Sequence, residues 1–331
     1  MKTITSLISI LLVGACNAAP PAQDILYNWL SIKYSGEHDI VKIIVPLSSV
    51  HFDELESIAN KEEDGPIFFV EADVDKKGDR VYKGLYSLQD GKAKKVLENG
   101  RDAAASADHS RQVFFGASDG IYKYNQKDDS AEKYGSVVDS IIGIAKEKSG
   151  DVIYILSDDY VVYKVSENGN KKEKLEDILN AKQIILDFAD NLYFISNDKV
   201  PYVRSAEGVK KIKGLPANPY HVEFIRPSYT LLNGVLFVSD AVIYMLYANG
   251  TSERSNYEIK SLVKPSAYAP DGEYVQYYAY DKKLYKYNAL KWIVQGLQFG
   301  LHNFLSAKAK DIRSGAVDAK TIFGINRVIV N

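Results

Sequence analysis

Gly116-Ala117-Ser118-Asp119-Gly120 spells G-x-S-x-G, the pattern that in serine hydrolases lifts a nucleophilic serine on a strained turn between a strand and a helix. The chemistry needs that helix. The next residues along the chain are Ile121-Tyr122-Lys123-Tyr124, an alternating run of β-formers, so the stretch reads as strand, Ser-Asp-Gly turn, strand. Asp-Gly suits a tight hairpin because glycine accepts positive φ and aspartate tolerates it. Ser118 is therefore expected to shape a turn, as are Ser157-Asp158 and Ser239-Asp240. His109 and Ser110 are neighbours along the chain only, which does not set a base against a nucleophile.

Metal chemistry has no better support. The five histidines, at 38, 51, 109, 221 and 302, show no zinc spacing. Asp73, Asp75 and Asp79 suggest a calcium loop, but Lys77 and Gly84 stand where such a loop needs oxygen ligands. Neither a metal nor a cofactor is expected.

The elements that must position any site come from a repeat. "IFFVEADVD", "VFFGASDGIYKYN", "IYILSDDYVVYKV", "LYFISNDKVPYV", "LFVSDAVIYML" and "QYYAYDKKLYKYN" each open on an apolar strand. A polar turn comes next, usually with Ser or Asp, and then a strand carrying a tyrosine. Those tyrosines, Tyr86, Tyr122, Tyr163, Tyr202, Tyr244 and Tyr285, lie 36, 41, 39, 42 and 41 residues apart. A period near forty is that of a propeller blade. A basic or mixed strand succeeds each tyrosine strand ("GKAKKVLEN", "NKKEKLEDI"). An extended stretch precedes each unit ("AAASADHSRQ", "IIGIAKEKSGD", "IILDFADN", "YTLLNG", "SAYAPDGE"). Four meandering strands make a blade, and six units predict an all-β, six-bladed β-propeller over residues 20–288.

Both ends depart from the repeat. The sixth unit has three strands of its own, and Ile40 to Pro46 is expected to supply the fourth, so that an N-terminal strand closes the ring and covers an open edge. Residues 289–331 form a C-terminal extension. Leu290, Ile293, Leu297, Leu301, Phe304 and Leu305 lie on a helical stripe, predicting an amphipathic helix that packs on the propeller or docks a protein partner or membrane surface. The first unit also carries an insertion, "DVDKKGDRVYK", read as a solvated hairpin tip.

Residues 1–19 have the layout of a signal peptide: Lys2, an apolar run from Ile4 to Val13, then small residues. The run is too short to span a membrane. A secreted, extracellular chain is expected, with Cys16, its one cysteine, leaving with the leader; the alternative is a lipobox that keeps Cys16 as a lipidated first residue. Asn249-Gly250-Thr251 is a glycosylation sequon in a loop. Net charge is −2, from 41 basic and 43 acidic residues without a basic stripe, which gives nucleic acid no electrostatic footprint.

"FFGASDGIYKYNQKDDSAEKYG", with the spacing of the Ser-Asp turns and tyrosine strands, resembles the ommochrome-binding proteins of moth and butterfly haemolymph. The resemblance covers most of residues 24–288. It implies a secreted, non-catalytic protein that binds a small planar pigment such as a xanthommatin-like tryptophan metabolite, for transport or sequestration. This chain departs in lacking the N-terminal cysteines associated with the family and in adding the tail.

Such a ligand is flat and carries carboxylates, so it needs aromatic faces and cations. In a meandering blade the loops entering inner strands and the hairpins between second and third strands share one end of the channel. The entering loops hold His51, Arg101, Tyr220, His221, Arg226 and Tyr268 as candidate ligand-binding residues. Two alternatives stand beside this reading. A metal-dependent lactonase or esterase would need carboxylates converging on one ion, whereas Asp53, Asp108, Asp139, Asp187 and Glu223 fall at unlike places in their repeats. A protein-interaction propeller rests on the fold alone.

Overall fold

The computed structural model describes residues 30–46, 66–108, 110, 112–226, 230–231, 234–240, 242–258, 265–271, 275–288 and 316–317. Six four-stranded antiparallel sheets succeed one another, each stepping outward from an inner strand. The inner strands are Asp39–Ile44, Gly100–Ala105, Ile141–Lys146, Ala181–Leu186, Val222–Ile225 and Ala267–Asp271, for blades 1 to 6. There is no helix among the described residues.

Burial tracks position in the blade. The second strands Val113–Ala117 and Ile153–Ser157 are buried throughout, and the fourth strand Lys171–Lys174 is exposed throughout. A second strand has a neighbouring sheet on both faces and must be apolar on both, whereas a fourth strand lies on the circumference in water. The recurring tyrosine has an equally local cause. Tyr86, Tyr202 and Tyr285 sit directly opposite Phe69, Phe194 and Tyr278 on the second strands, with ring centroids 5.0, 5.2 and 5.0 Å apart and nearly parallel planes. Cross-strand aromatic pairs of this kind set register within a sheet.

Between blades the packing is apolar. Phe68, Val70 and Leu85 of blade 1 meet Val113 and Phe115 of blade 2. Phe114 and Ile121 meet Ile144 and Ile155 of blade 3, and Ile43 and Phe69 meet Ala269 and Tyr277 of blade 6. No blade buries its faces alone, so the ring is the stable unit.

The Ser118 stretch is a hairpin. Ala117 pairs with Gly120, leaving Ser118-Asp119 as a two-residue loop, and Gly120 has φ +128°. The Ser-Asp carboxylates do more than bond their own turns. Asp119 accepts from Asn99 Nδ2 at 2.6 Å and Asp240 from the His221 amide at 2.9 Å, tying each hairpin to the loop that enters its own blade.

Two sequence expectations are corrected. Ile40 to Pro46 does not complete blade 6: Asp39–Ile44 pairs with Ile67–Val74 as the innermost strand of blade 1, and the outer strand of blade 6 is Leu30–Ser35, paired with Lys283–Asn288. Both segments are short strands of similar length, and the choice rests on which edge each reaches. "YTLLNG" is not an inner strand either; blade 5 begins at Val222–Ile225, and Thr230–Leu231 pairs in parallel with Ala316–Val317 of the tail. The expected C-terminal helix, the leader with Cys16, and His51 lie outside the described residues. Asp75 holds its hairpin tip by accepting from the amides of Lys77 and Asp79, while Asp73 pairs with His38 and Lys83.

Candidate functional site

The entering halves of all six inner strands surround a cavity of about 870 Å³. Its wall continues onto the blade 1 hairpin, through Val74, Gly78, Asp79 and Arg80, and onto Asp158 and Tyr160 of blade 3. The inserted hairpin therefore forms one side of the mouth. At the other end of the channel a narrow space of about 100 Å³ is lined mostly by small and aliphatic residues, among them Ala103, Ala104, Ile144 and Leu186.

A charged hub separates the two. Asp102, on the blade 2 inner strand, is fully buried. Arg226, at the end of the blade 5 inner strand, crosses the channel and places Nη1 at 2.8 and 3.0 Å from the two Asp102 oxygens. Its Nη2 donates to the Ile184 carbonyl of blade 4 at 3.0 Å. Lys42 of blade 1 lies 3.1 Å from Asp102 and donates to the Ile142 carbonyl of blade 3 at 3.0 Å. The Ile144 amide adds a bond to Asp102 at 2.9 Å. Four blades thus meet at one carboxylate, and Arg226 links a fifth to it through the Ile184 carbonyl.

The electrostatics come from the count. Two cations share one carboxylate, so the hub at the floor of the mouth holds one positive charge in excess, within a lining that carries five cationic and five acidic side chains in all. Burial alone pushes the Asp102 carboxyl up, but the charges of Arg226 and Lys42 and the Ile144 amide outweigh it and hold it below its usual range. Burial pulls the Lys42 ammonium down to about 8; Asp102 opposes that shift and Arg226 reinforces it. Lys42 and Arg226 keep 22% and 26% of their side chains exposed, toward the mouth.

Of the residues chosen from sequence, Arg101, His221, Arg226 and Tyr268 line this cavity. Arg101 Nη1 donates to Ser140 at 2.8 Å, and its guanidinium lies 5.4 Å from the Tyr82 ring centroid. His221 Nε2 is 3.3 Å from Glu223. Tyr220 is not brought in: the residue is 90% exposed, and its carbonyl accepts from Lys199. Asn249 is exposed in a turn, where its Oδ1 accepts from the Thr251 amide and hydroxyl. Lys42 and Asp102 were missed by sequence reasoning. The signals were a lysine inside "IVKIIVP" and an aspartate ahead of three alanines, charged groups within otherwise largely apolar runs.

The carboxylates considered for a metal divide between the ends. Asp139 pairs with Lys172 beside the strand-entering loops. Asp187 bonds Asn191 and Tyr193 at the far end. Asp53 lies outside the described residues. Among the described residues no three His, Cys, Asp or Glu side chains cluster to hold an ion.

No family model and no curated protein matches the chain. Its likeness is to solved structures. The RRP9 WD40 repeats align over 77% of this chain and 78% of theirs, at 12% identity and TM-score 0.50. The fold is the six-bladed β-propeller. A protein of unknown function from Bacteroides thetaiotaomicron aligns over 78% of this chain and 75% of its own, at 13% identity and TM-score 0.50. A chain of the mitotic checkpoint complex aligns over 82% and 98%, at 9% identity and TM-score 0.50. At such identities the likeness is one of propeller architecture. No helix among the propeller's described residues is long and apolar enough to cross a membrane.

Proposed function

We propose that this propeller is a non-catalytic binding protein that takes a small, planar, carboxylate-bearing molecule of the ommochrome type in its mouth. The observation that carries the reading is the excess positive charge at the floor of a ligand-sized cavity, where Lys42 and Arg226 share Asp102. Cavities of this size are typical of small-molecule sites. Arg101 supplies a further cation, and Tyr82 and Tyr268 supply rings on the wall. Secretion and glycosylation at Asn249 belong to the same proposal.

The test is a titration with xanthommatin, monitored in the visible spectrum. Lys42→Ala and Arg101→Ala each weaken binding by about 10- to 100-fold, since a charge-assisted hydrogen bond contributes about 1.5–3 kcal/mol. The ammonium is the form that attracts an anion, so affinity falls as pH rises through about 8. A bound anion lifts the lysine's pKa, so the midpoint in the complex lies higher. No spectral change with wild type, or a pH-independent affinity, removes this reading.

Docking of a protein partner is the second reading, and one observation favours it. Val74, Val138, Tyr160, Leu179 and Tyr220 are exposed large apolar residues, and all sit in strand-entering loops or second-to-third-strand hairpins at the mouth end. Leu179→Asp with Tyr220→Ala is expected to abolish capture of such a partner while leaving the pigment titration unchanged. Retained capture rejects this face as the docking surface.

A further inference from the structure

We infer that the mouth grips its ligand by a zwitterionic α-amino acid head group, with the carboxylate on Lys42 and Arg226 at the floor and the ammonium on Asp39 and Glu223 above them. The inference rests on the reading that the mouth holds a carboxylate-bearing molecule, and adds a second charge to that molecule. Its first support is the layering of charge in the cavity. The five cations and five acids of the lining cancel overall, but not at each depth. At the floor Asp102 is shared by Lys42 and Arg226, one positive charge in excess. On the wall Arg101 lies 3.8 Å from Asp158, which leaves Asp39, Asp79 and Glu223 against Arg80 and Lys182, one negative charge in excess. A simple anion meets a lining of zero net charge, whereas a zwitterion lying along the channel meets its opposite at both ends.

Strand geometry sets the two ends at a fitting separation. Residues three apart on a regular strand point to opposite faces, but a bulge between Ile40 and Lys42 interrupts the inner strand of blade 1, where Asp39 pairs with Ala72 and Lys42 with Val70. Asp39 and Lys42 therefore leave the same face, two steps of the partner strand or about 7 Å apart. An ammonium and a carboxylate on one carbon, about 3 Å apart and with a charge-assisted bond of about 2.8 Å at each end, span about 8 Å. Blade 5 repeats the order, with Glu223 on the entering side of its inner strand and Arg226 just past the end. The groups also have bonding capacity to spare. Among the described residues only Asp102 and the Ile142 carbonyl engage the Lys42 ammonium, which has three N–H donors. Among the same residues the Asp39 carboxylate has no ion pair or hydrogen bond, and Glu223 meets His221 alone, at 3.3 Å.

The experiment is isothermal titration of the full chain near neutral pH with L-tryptophan, with indole-3-propionate, which lacks the ammonium, and with tryptamine, which lacks the carboxylate. Tryptophan is expected to bind at least about tenfold more tightly than either, since losing a charge-assisted bond weakens binding by about that factor or more. Asp39→Asn weakens tryptophan by about tenfold and tightens indole-3-propionate, because it removes an acid that attracts the one and repels the other. A variant that merely folds badly weakens both, and the wild-type comparison then decides. Equal affinity of wild type for tryptophan and indole-3-propionate, or no heat from tryptophan at millimolar concentration, overturns the proposal. If the xanthommatin titration keeps its dependence on Lys42 in either case, only the ammonium end falls. If that titration fails as well, the binding reading falls with it.

Discussion

Asp102→Ala is expected to lower the stability of the propeller by about 3–5 kcal/mol, the range observed when one partner of a buried ion pair is removed. Asp102 is the single anion at the hub, bonded to Arg226, Lys42 and the Ile144 amide. Its loss leaves two partly buried cations facing one another across the channel. Arg226→Met should cost less, because Lys42 and Asp102 then remain as a neutral pair. A shape-matched apolar set, Asp102→Leu with Lys42→Met and Arg226→Met, should recover most of the loss, since desolvated ions gain little over apolar packing. The measurement is the midpoint of urea unfolding at constant slope. An Asp102→Ala variant within about 1 kcal/mol of wild type would show that the hub contributes little.

The sign with pH is set by the lowered carboxyl. The unfolded chain binds the Asp102 proton first as pH falls, so this contribution is complete above the ordinary aspartate value near 4 and is lost as pH drops through the lower folded value. Wild type should therefore lose stability in acid more steeply than Asp102→Ala. Lys42 acts at the other end of the scale. Its folded value of about 8 lies below the usual lysine value, so the unfolded chain holds more protons between the two. Its unfavourable contribution is relieved as pH rises across that window.

Gly135→Ala is expected to cost about 2–4 kcal/mol, and Gly169→Ala a similar amount. Gly135, after the outer strand of blade 2, has φ +69°, and Gly169, in the turn before the outer strand of blade 3, has φ +83°. Their backbones touch: a Cβ on Gly135 would lie 2.2 Å from the Gly169 carbonyl oxygen, and a Cβ on Gly169 would lie 2.9 Å from Gly135 Cα. The Ser136 amide donates to that carbonyl at 3.0 Å. A side chain there adds left-handed strain of about 1 kcal/mol or more and also pushes two blades apart. Gly150→Ala is the control, because Gly150 has φ +73° with nothing within 4 Å of a Cβ. It should show the conformational strain alone. If Gly135→Ala and Gly150→Ala unfold alike, the blade-to-blade backbone contact is not a determinant of stability.

The parts of this protein legible in its sequence are those set by local rules. A buried second strand must be apolar on both faces, a tight hairpin needs a residue that accepts positive φ, such as Gly120 or Asp240, and a tyrosine faces an aromatic partner in five of the six blades, Tyr163 of blade 3 facing Ile155 instead. These fix a period near forty and six units without reference to distant residues. The mouth was legible in part for a related reason: loops entering inner strands share one end of any meandering blade, so Arg101, His221, Arg226 and Tyr268 were found there by type and position. Tyr220 has the same type and nearly the same position as His221, yet it is exposed to solvent. Chain direction at a loop tip depends on packing that one sequence does not display.

What tertiary structure alone decided is everything that depends on one blade meeting another. Leu30–Ser35 and Asp39–Ile44 are both short strands of mixed apolar and polar residues, and ring geometry assigns the first to the rim of blade 6 and the second to the heart of blade 1. That assignment carries Lys42 from a supposed outer edge to the floor of the mouth. Arg226 and Asp102 are 124 positions apart, and only closure of the circle places them within hydrogen-bonding distance. Sequence by itself determined the modules, because each module's pattern answers to its own burial. The charge at the channel's centre was decided in three dimensions, because inner strands from separate blades had to converge before their side chains could share a carboxylate.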